Sequence, residues 1–258
     1  MGIAKSQAYT ITELERIAWL SQENPDQEFY SLMHHINVES LINCFNTLDG
    51  KKAVGVEGVD KESYGKNLAI NLQGLIKGMK QMAYRPGPVR QVLIPKEGNA
   101  TATRPLGISN FEDKLVHKRV QEILESIYDP IFLDCSYGFR PKRGCNDAIQ
   151  DLTDHLFKNE VETVIDVDLS NYFGTINHTF LPEMLCVKIK DTKFMRYIDQ
   201  MFKAGTLANG ELVIGDEGVV QGGLILLPFE SDKPKTNEEY KIVIFRRNTY
   251  EFRKIKKL

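Results

Sequence analysis

Val161 to Val167 is a short run rich in β-branched residues, set between two helical patterns, and it delivers Asp166 and Asp168 at its C-terminal end. Alternation along a strand points both carboxylates to one face of a sheet. A strand of this kind between helices marks a chain that mixes helix and sheet. The Asp-x-Asp itself admits three readings: a divalent-metal site for phosphoryl or nucleotidyl transfer, a sugar-nucleotide site, or polar residues that merely end a strand. A hard cation such as Mg²⁺ wants oxygen ligands and keeps positions open for substrate phosphates, so carboxylates suit it there.

The surrounding elements can be read from periodicity. Thr10 with Glu13 forms a capping-box pattern ahead of Ile11, Leu14, Ile17 and Ala18, which predicts an N-terminal amphipathic helix. After a glycine-rich turn from Gly55 to Asp60, Leu68 to Met82 reads as a helix stopped by Pro86 and Pro88. Val89 to Ile94 and Arg104 to Ile108 predict a hairpin, with Lys96 and Arg104 near its two arms. Ser109 and Glu112 form a second capping-box pattern before a helix whose stripe is Leu115, Val116, Val120, Ile123, Leu124, Ile127 and Tyr128. A further helix carries Ala148, Ile149, Leu152, Leu156 and Phe157. Beyond the Asp-x-Asp strand, helices are expected near Phe180 to Ile189 and Thr192 to Ala204, with Gly205 as a C-cap. A hairpin is expected over Glu211 to Val220.

Composition narrows the function classes. The 258 residues carry a formal net charge of −2, so the chain is not a wholly basic nucleic-acid binder. Between Arg85 and Arg143, however, ten cations gather: Arg85, Arg90, Lys96, Arg104, Lys114, Lys118, Arg119, Arg140, Lys142 and Arg143. Such charges usually form a solvated face; set on turns beside glycines they favour a phosphate-facing surface. Cys44, Cys135, Cys145 and Cys186 show no Cys-x-x-Cys pair, which predicts reduced thiols rather than a zinc site or disulfides. The apolar runs fall short of a membrane span, so a cytoplasmic protein with no membrane partner is expected.

Seven blocks in order carry a family resemblance: Tyr84-Arg-Pro86, Ile94-Pro-Lys96, Arg104-Pro-Leu-Gly-Ile108, Ser136-Tyr-Gly-Phe-Arg-Pro141, Asp166-Val-Asp-Leu-Ser-Asn-Tyr-Phe173, Ile176-Asn-His178 and Gln221-Gly-Gly223. From about Cys44 to Gly223 the chain resembles the group II intron-encoded reverse transcriptases, or maturases. The resemblance implies an α/β (α+β) fold divided into a helical N-terminal extension (1–83), fingers with part of the palm (84–160), a partial palm (161–223) and a divergent basic tail (224–258). It implies RNA-directed DNA polymerisation with RNA template, intron RNA, DNA primer and deoxynucleoside triphosphates as partners, and Mg²⁺ as cofactor. Asp168 matches the catalytic carboxylate that binds metal, joined by the carbonyl of Leu169, whereas Asp166 is structural. Phe173 matches the steric gate against C2′ of the nucleotide, Lys96 and Arg104 match the residues that hold the triphosphate, and Gln221 and Gly222 match contacts to the nucleotide sugar and template. Arg140, Lys142 and Arg143 are expected at the RNA backbone.

The departures are equally specific. Gly174 stands where the family usually has Asp, and Val220 where it has Pro. After Gly223 the family continues into a Tyr-x-Asp-Asp hairpin; here Leu224-Ile-Leu-Leu-Pro-Phe229 follows, and Asp232 is the last aspartate. A truncated or frame-disrupted copy, catalytically incomplete, is therefore expected. Alternatives are a non-catalytic RNA-binding remnant, a substitute acidic pair at Glu238-Glu239, and remotely a glycosyltransferase using Asp166 and Asp168.

Overall fold

A computed structural model of the chain describes residues 12–96, 99–159, 164–168, 174–218, 240–247 and 249–256. In order these form α1 (Glu13–Glu23), α2 (Val38–Thr47), α3 (Lys61–Gly65), α4 (Leu68–Lys80), β1 (Val89–Lys96), β2 (Asn99–Ile108), α5 (Phe111–Tyr128), α6 (Cys145–Lys158), β3 (Val164–Asp168), α7 (Phe180–Cys186), α8 (Thr192–Lys203), β4 (Thr206–Ala208), β5 (Glu211–Val213), β6 (Tyr240–Arg247) and β7 (Thr249–Lys256). Helices and sheets share the chain as the α/β reading requires. None of the described helices is long and apolar enough to cross a membrane.

The core is organised around α5. Leu115, Val116, Val120, Ile123, Leu124 and Ile127 are all fully buried, so the stripe read at helical spacing is the central ridge of the molecule. Residues from α1, α2, α4, α7 and α8 close around it in one continuous cluster. The buried cluster draws on segments from both sides of each of positions 83 and 160. Asp191 joins distant segments: Oδ1 accepts from Lys193 and Phe194 at the start of α8, while Oδ2 accepts from the Leu32 and Met33 amides. Burial opposes its ionisation, but the four amides outweigh that and hold its carboxyl below the usual range.

Both capping patterns resolve differently from the sequence reading. Helix α1 is closed by a box two residues later, with Thr12 Oγ1 accepting from the Glu15 amide at 3.2 Å and Glu15 Oε2 from the Thr12 amide at 2.7 Å. Glu13 is taken instead by His35 Nδ1 at 2.8 Å. At α5 the N-cap is Asn110, not Ser109, because Glu112 accepts from the Tyr64 hydroxyl at 2.7 Å and cannot reach back. Local patterns lost here to partners distant in sequence.

Two sheets form. One has the order β2-β1-β4-β5: the expected β1-β2 hairpin is extended by β4, which runs parallel to β1 with Val89 opposite Thr206. The hairpin expected over Glu211 to Val220 lies earlier, at β4-β5, because Asn209 and Gly210 both adopt positive φ (51° and 86°) and so make the tight turn. Gly205, at φ 75°, ends α8 as expected. The second sheet has the order β3-β7-β6, so the tail supplies both strands beside β3. The segment expected as a divergent basic tail thus supplies strands over its described residues 240–247 and 249–256. On α6, Ala148 and Leu152 are buried, whereas Ile149, Leu156 and Phe157 are exposed, so only part of the expected face is covered by described residues.

Candidate nucleotide and nucleic-acid site

Strand β3 sets Asp168 at its last position, and the backbone register places Glu251 of β7 opposite it, with Phe245 of β6 opposite Glu251 in turn. Asp166 is opposite Arg253. Nothing in the sequence marks Glu251, a lone acid in a basic segment, while the acidic pair Glu238-Glu239 lies outside the described residues. Tyr240, next in the chain, pairs with Lys256, beyond the Val164 end of β3, whereas Asp168 occupies the other end. Leu169, Phe173, Gln221 and Gly222 also lie outside the described residues.

Lys96 ends β1, and Arg104 sits on β2 opposite Ile94, with a register shift between Pro95 and Lys96. The hairpin thus carries one cation on each strand, Lys96 at the end of β1 and Arg104 within β2. Pro95 donates no backbone hydrogen bond, which suits the irregularity there.

The Tyr-Gly-Phe-Arg-Pro loop separates its cations. Arg140 is buried: Nε donates to Asp129 Oδ1 at 2.7 Å, NH1 to the carbonyls of Leu133 and Ser136, and NH2 to the Asp129 carbonyl at 3.0 Å. Its guanidinium also stands over the Phe132 ring. These bonds account for its donors without any nucleic acid. Arg143 bonds Asp134 and lies over Tyr137, yet stays partly open to solvent. Lys142 is exposed and, like Phe139, has positive φ (58° and 55°), a conformation that costs a non-glycine residue free energy. A loop held in this shape presents Lys142 outward.

Several other cations also serve the main chain. Arg90 directs Nε and NH2 to the Val54 carbonyl, Lys114 gives Nζ to that of Ala53, and Arg119 donates Nε to that of His35. Arg90 and Lys114 hold the segment that leads into the glycine-rich turn, Lys114 from the start of α5, where a buried polar hub sits. Tyr84 donates its hydroxyl to Asp113 Oδ1 at 2.5 Å, the Gly87 amide donates to Asp113 Oδ2 at 3.0 Å, and Asn110 Oδ1 accepts from the Glu57 amide at 3.1 Å. Burial pushes the Asp113 carboxyl up to about 6. A Cβ on Gly55 would meet Asn110 Oδ1 at 2.5 Å, which explains a glycine there. Tyr84-Arg-Pro86 is thus anchored as scaffold, and no periodic signal marks Asn110 or Asp113 as its partners.

Ile176-Asn-His178 has an equally local role. Gly218 donates its amide to the Ile176 carbonyl at 2.8 Å, His178 donates its amide to that of Asp216 at 2.9 Å, and its Nε2–H bonds the Gly218 carbonyl at 2.7 Å. Asn177 Oδ1 meanwhile accepts from the first amides of α7. The block following the aspartate strand therefore holds the segment that leads into Gln221-Gly-Gly223.

Residues 94–225 match the family model described as "Reverse transcriptase (RNA-dependent DNA polymerase)". The chain is 33% identical over 217 residues to the group II intron-encoded protein LtrA of Lactococcus lactis subsp. cremoris, covering 84% of this chain and 36% of that protein. It is 37% identical over 180 residues to Protein YkfC of Escherichia coli (strain K12), covering 68% of this chain and 46% of that protein. The chain thus spans less than half the length of these relatives. Among solved structures, the Sicinivirus 3Dpol RNA-dependent RNA polymerase superposes with a TM-score of 0.52 at 12% identity, over 96% of this chain and 63% of that one, a likeness of fold.

Proposed function

Because the chain belongs to the reverse transcriptase (RNA-dependent DNA polymerase) family, in its group II intron-encoded branch, we propose that it is the nucleic-acid-holding part of an RNA-directed DNA polymerase. The observation that carries this reading is the family match over 94–225, which takes in Lys96 at the end of β1, β2 with Arg104, the Tyr-Gly-Phe-Arg-Pro loop and the strand ending at Asp168. In this reading Lys96 and Arg104 grip the triphosphate of an incoming nucleotide, Phe173 bars a ribose hydroxyl, and Gln221 and Gly222 meet the sugar and template. Lys142 and Arg143 meet RNA backbone, adding salt-dependent affinity without sequence preference. Arg140, spent on carbonyls and Asp129, holds the loop that presents them.

The Asp168 carboxylate and the Leu169 carbonyl form an oxygen-only donor set, which fits a hard divalent cation, and these residues would hold Mg²⁺. Bound there, the ion would neutralise charge on the triphosphate. Two-metal chemistry needs a set of carboxylates, and no Asp-Asp pair follows Gly223 in this sequence. The chain by itself is therefore proposed to bind RNA and primer without extending it.

The test pairs RNA binding with primer extension. Binding should fall steeply between low and physiological salt, and extension in Mg²⁺ or Mn²⁺ should be absent. Salt-independent binding would overturn the nucleic-acid assignment. Template-dependent extension abolished by Asp168→Ala would overturn the incompleteness, and Glu251→Gln would then show whether β7 supplies the missing ligand.

A further inference from the structure

We propose that Glu13, His34 and His35 form a site for a transition-metal ion of the zinc class, joining the start of α1 to the 3₁₀ turn at Met33–His35. One ligand atom from each lies within 4.8 Å of the other two, and among the described residues no other three His, Cys, Asp or Glu side chains converge so closely. Successive residues of a 3₁₀ turn point about 120° apart, so neighbouring side chains ordinarily diverge. Here the two imidazoles pack together, centroids 3.8 Å apart at 42°. A Glu13–His35 hydrogen bond accounts for two of the three groups, and the His34 ring is brought beside them as the third.

The site is partly built in advance. His35 is buried, its amide donates to the Leu32 carbonyl, and its own carbonyl accepts from Arg119 Nε at 2.8 Å, so its ring is fixed. Its Nδ1 already stands 2.8 Å from Glu13 Oε2. Ser31 Oγ lies 3.3 Å from His34 Nδ1 and can orient that ring through one nitrogen while the other binds, the usual outer partner of a ligating histidine. Glu13 and His34 are both exposed, so they can close to the separation of about 3.4 Å that metal bonds near 2.1 Å require. Two nitrogens and one carboxylate oxygen suit zinc, nickel or copper and disfavour Mg²⁺ or Ca²⁺. Solvent completes the coordination on the open side.

The test uses the full chain, freed of metal by chelation and titrated with Zn²⁺ by calorimetry, with thermal unfolding followed in parallel. One saturable site per chain of micromolar affinity or better is expected, with a rise in Tm. His34→Ala and Glu13→Gln should each weaken binding at least about tenfold and remove the rise, because each takes away a ligand. Both residues are exposed, so metal-free stability should hold. A Cys145→Ser, Cys186→Ser double variant should bind as the wild type does, which excludes capture by the exposed thiols. The absence of a saturable site, or unchanged affinity in His34→Ala and Glu13→Gln, would overturn the proposal.

Discussion

The junction at the start of α5 and the far end of β3 are built on opposite plans. At the junction, charged groups are spent on the main chain: Arg90 and Lys114 bind carbonyls, and Asp113 collects a tyrosine hydroxyl and an amide. At β3, the backbone register sets an acidic residue, Glu251, across from Asp168, and like charges directly opposite disfavour the pairing by themselves. The same contrast recurs within one loop, where Arg140 is consumed by structure and Lys142, two residues on, is offered to solvent. A basic stretch of sequence is thus not one surface, and its cations divide by what their donors already hold.

The division breaks most visibly at Arg140. Replacing it by Ala should cost about 3 kcal/mol or more, because Asp129 and the carbonyls of Leu133 and Ser136 lose their partner in a largely buried site. Denaturant unfolding measures this. A loss below about 1 kcal/mol combined with weakened RNA binding would return Arg140 to the nucleic-acid face.

Next in size is the pH dependence of α5. Asp113, pushed up to about 6, keeps a proton in the folded chain that the unfolded chain has released, so its contribution to stability falls as pH rises from about 4 to 6. His117, one turn along and held near 4 by burial, resists a proton that the unfolded chain accepts, so its contribution falls as pH drops from about 6.5 to 4. The opposed slopes should largely cancel over their shared range. Asp113→Asn should unmask a stability that climbs with pH there, by on the order of 2–3 kcal/mol, and His117→Gln one that declines. Unfolding curves at several pH values decide it, and flat profiles in both variants would dissolve the paired account.

The smallest effect sharpens the contrast from the other side. Lys142→Ala should leave stability within about 0.5 kcal/mol while lowering RNA affinity and reducing the salt slope by roughly one. An unchanged slope would mean that the exposed arm of the loop does not meet phosphate.

How much of this was legible beforehand follows from the range of the interactions. The α5 stripe and the β1-β2 hairpin are written in local periodicity, and both stand as read. The capping boxes were not, since Thr10/Glu13 and Ser109/Glu112 satisfy the same pattern as the box that forms, and only His35 and Tyr64, distant in sequence, decide against them. The Asn110–Asp113 hub had no signature because its partners, Tyr84, Gly87 and Glu57, come from separate segments. The order of the family blocks located Asp168, but only the register shows what lies beside it, and Glu251 belongs to a segment that matches no block.

The pairing of β3 with β7 has a kinetic side. The strand that ends in the candidate catalytic carboxylate takes its neighbour from β7, far later in the chain, whereas α1, α2 and α4, which pack on α5, all precede it. During synthesis those helices are already available when α5 appears, whereas β7 follows β3 only after a long stretch of chain, so the α5 core should begin to form before the β3–β7 pairing. Emerging from the ribosome, the chain would hold a folded α5 core while β3 still lacked a neighbour, its edge open to any strand that arrived before β7.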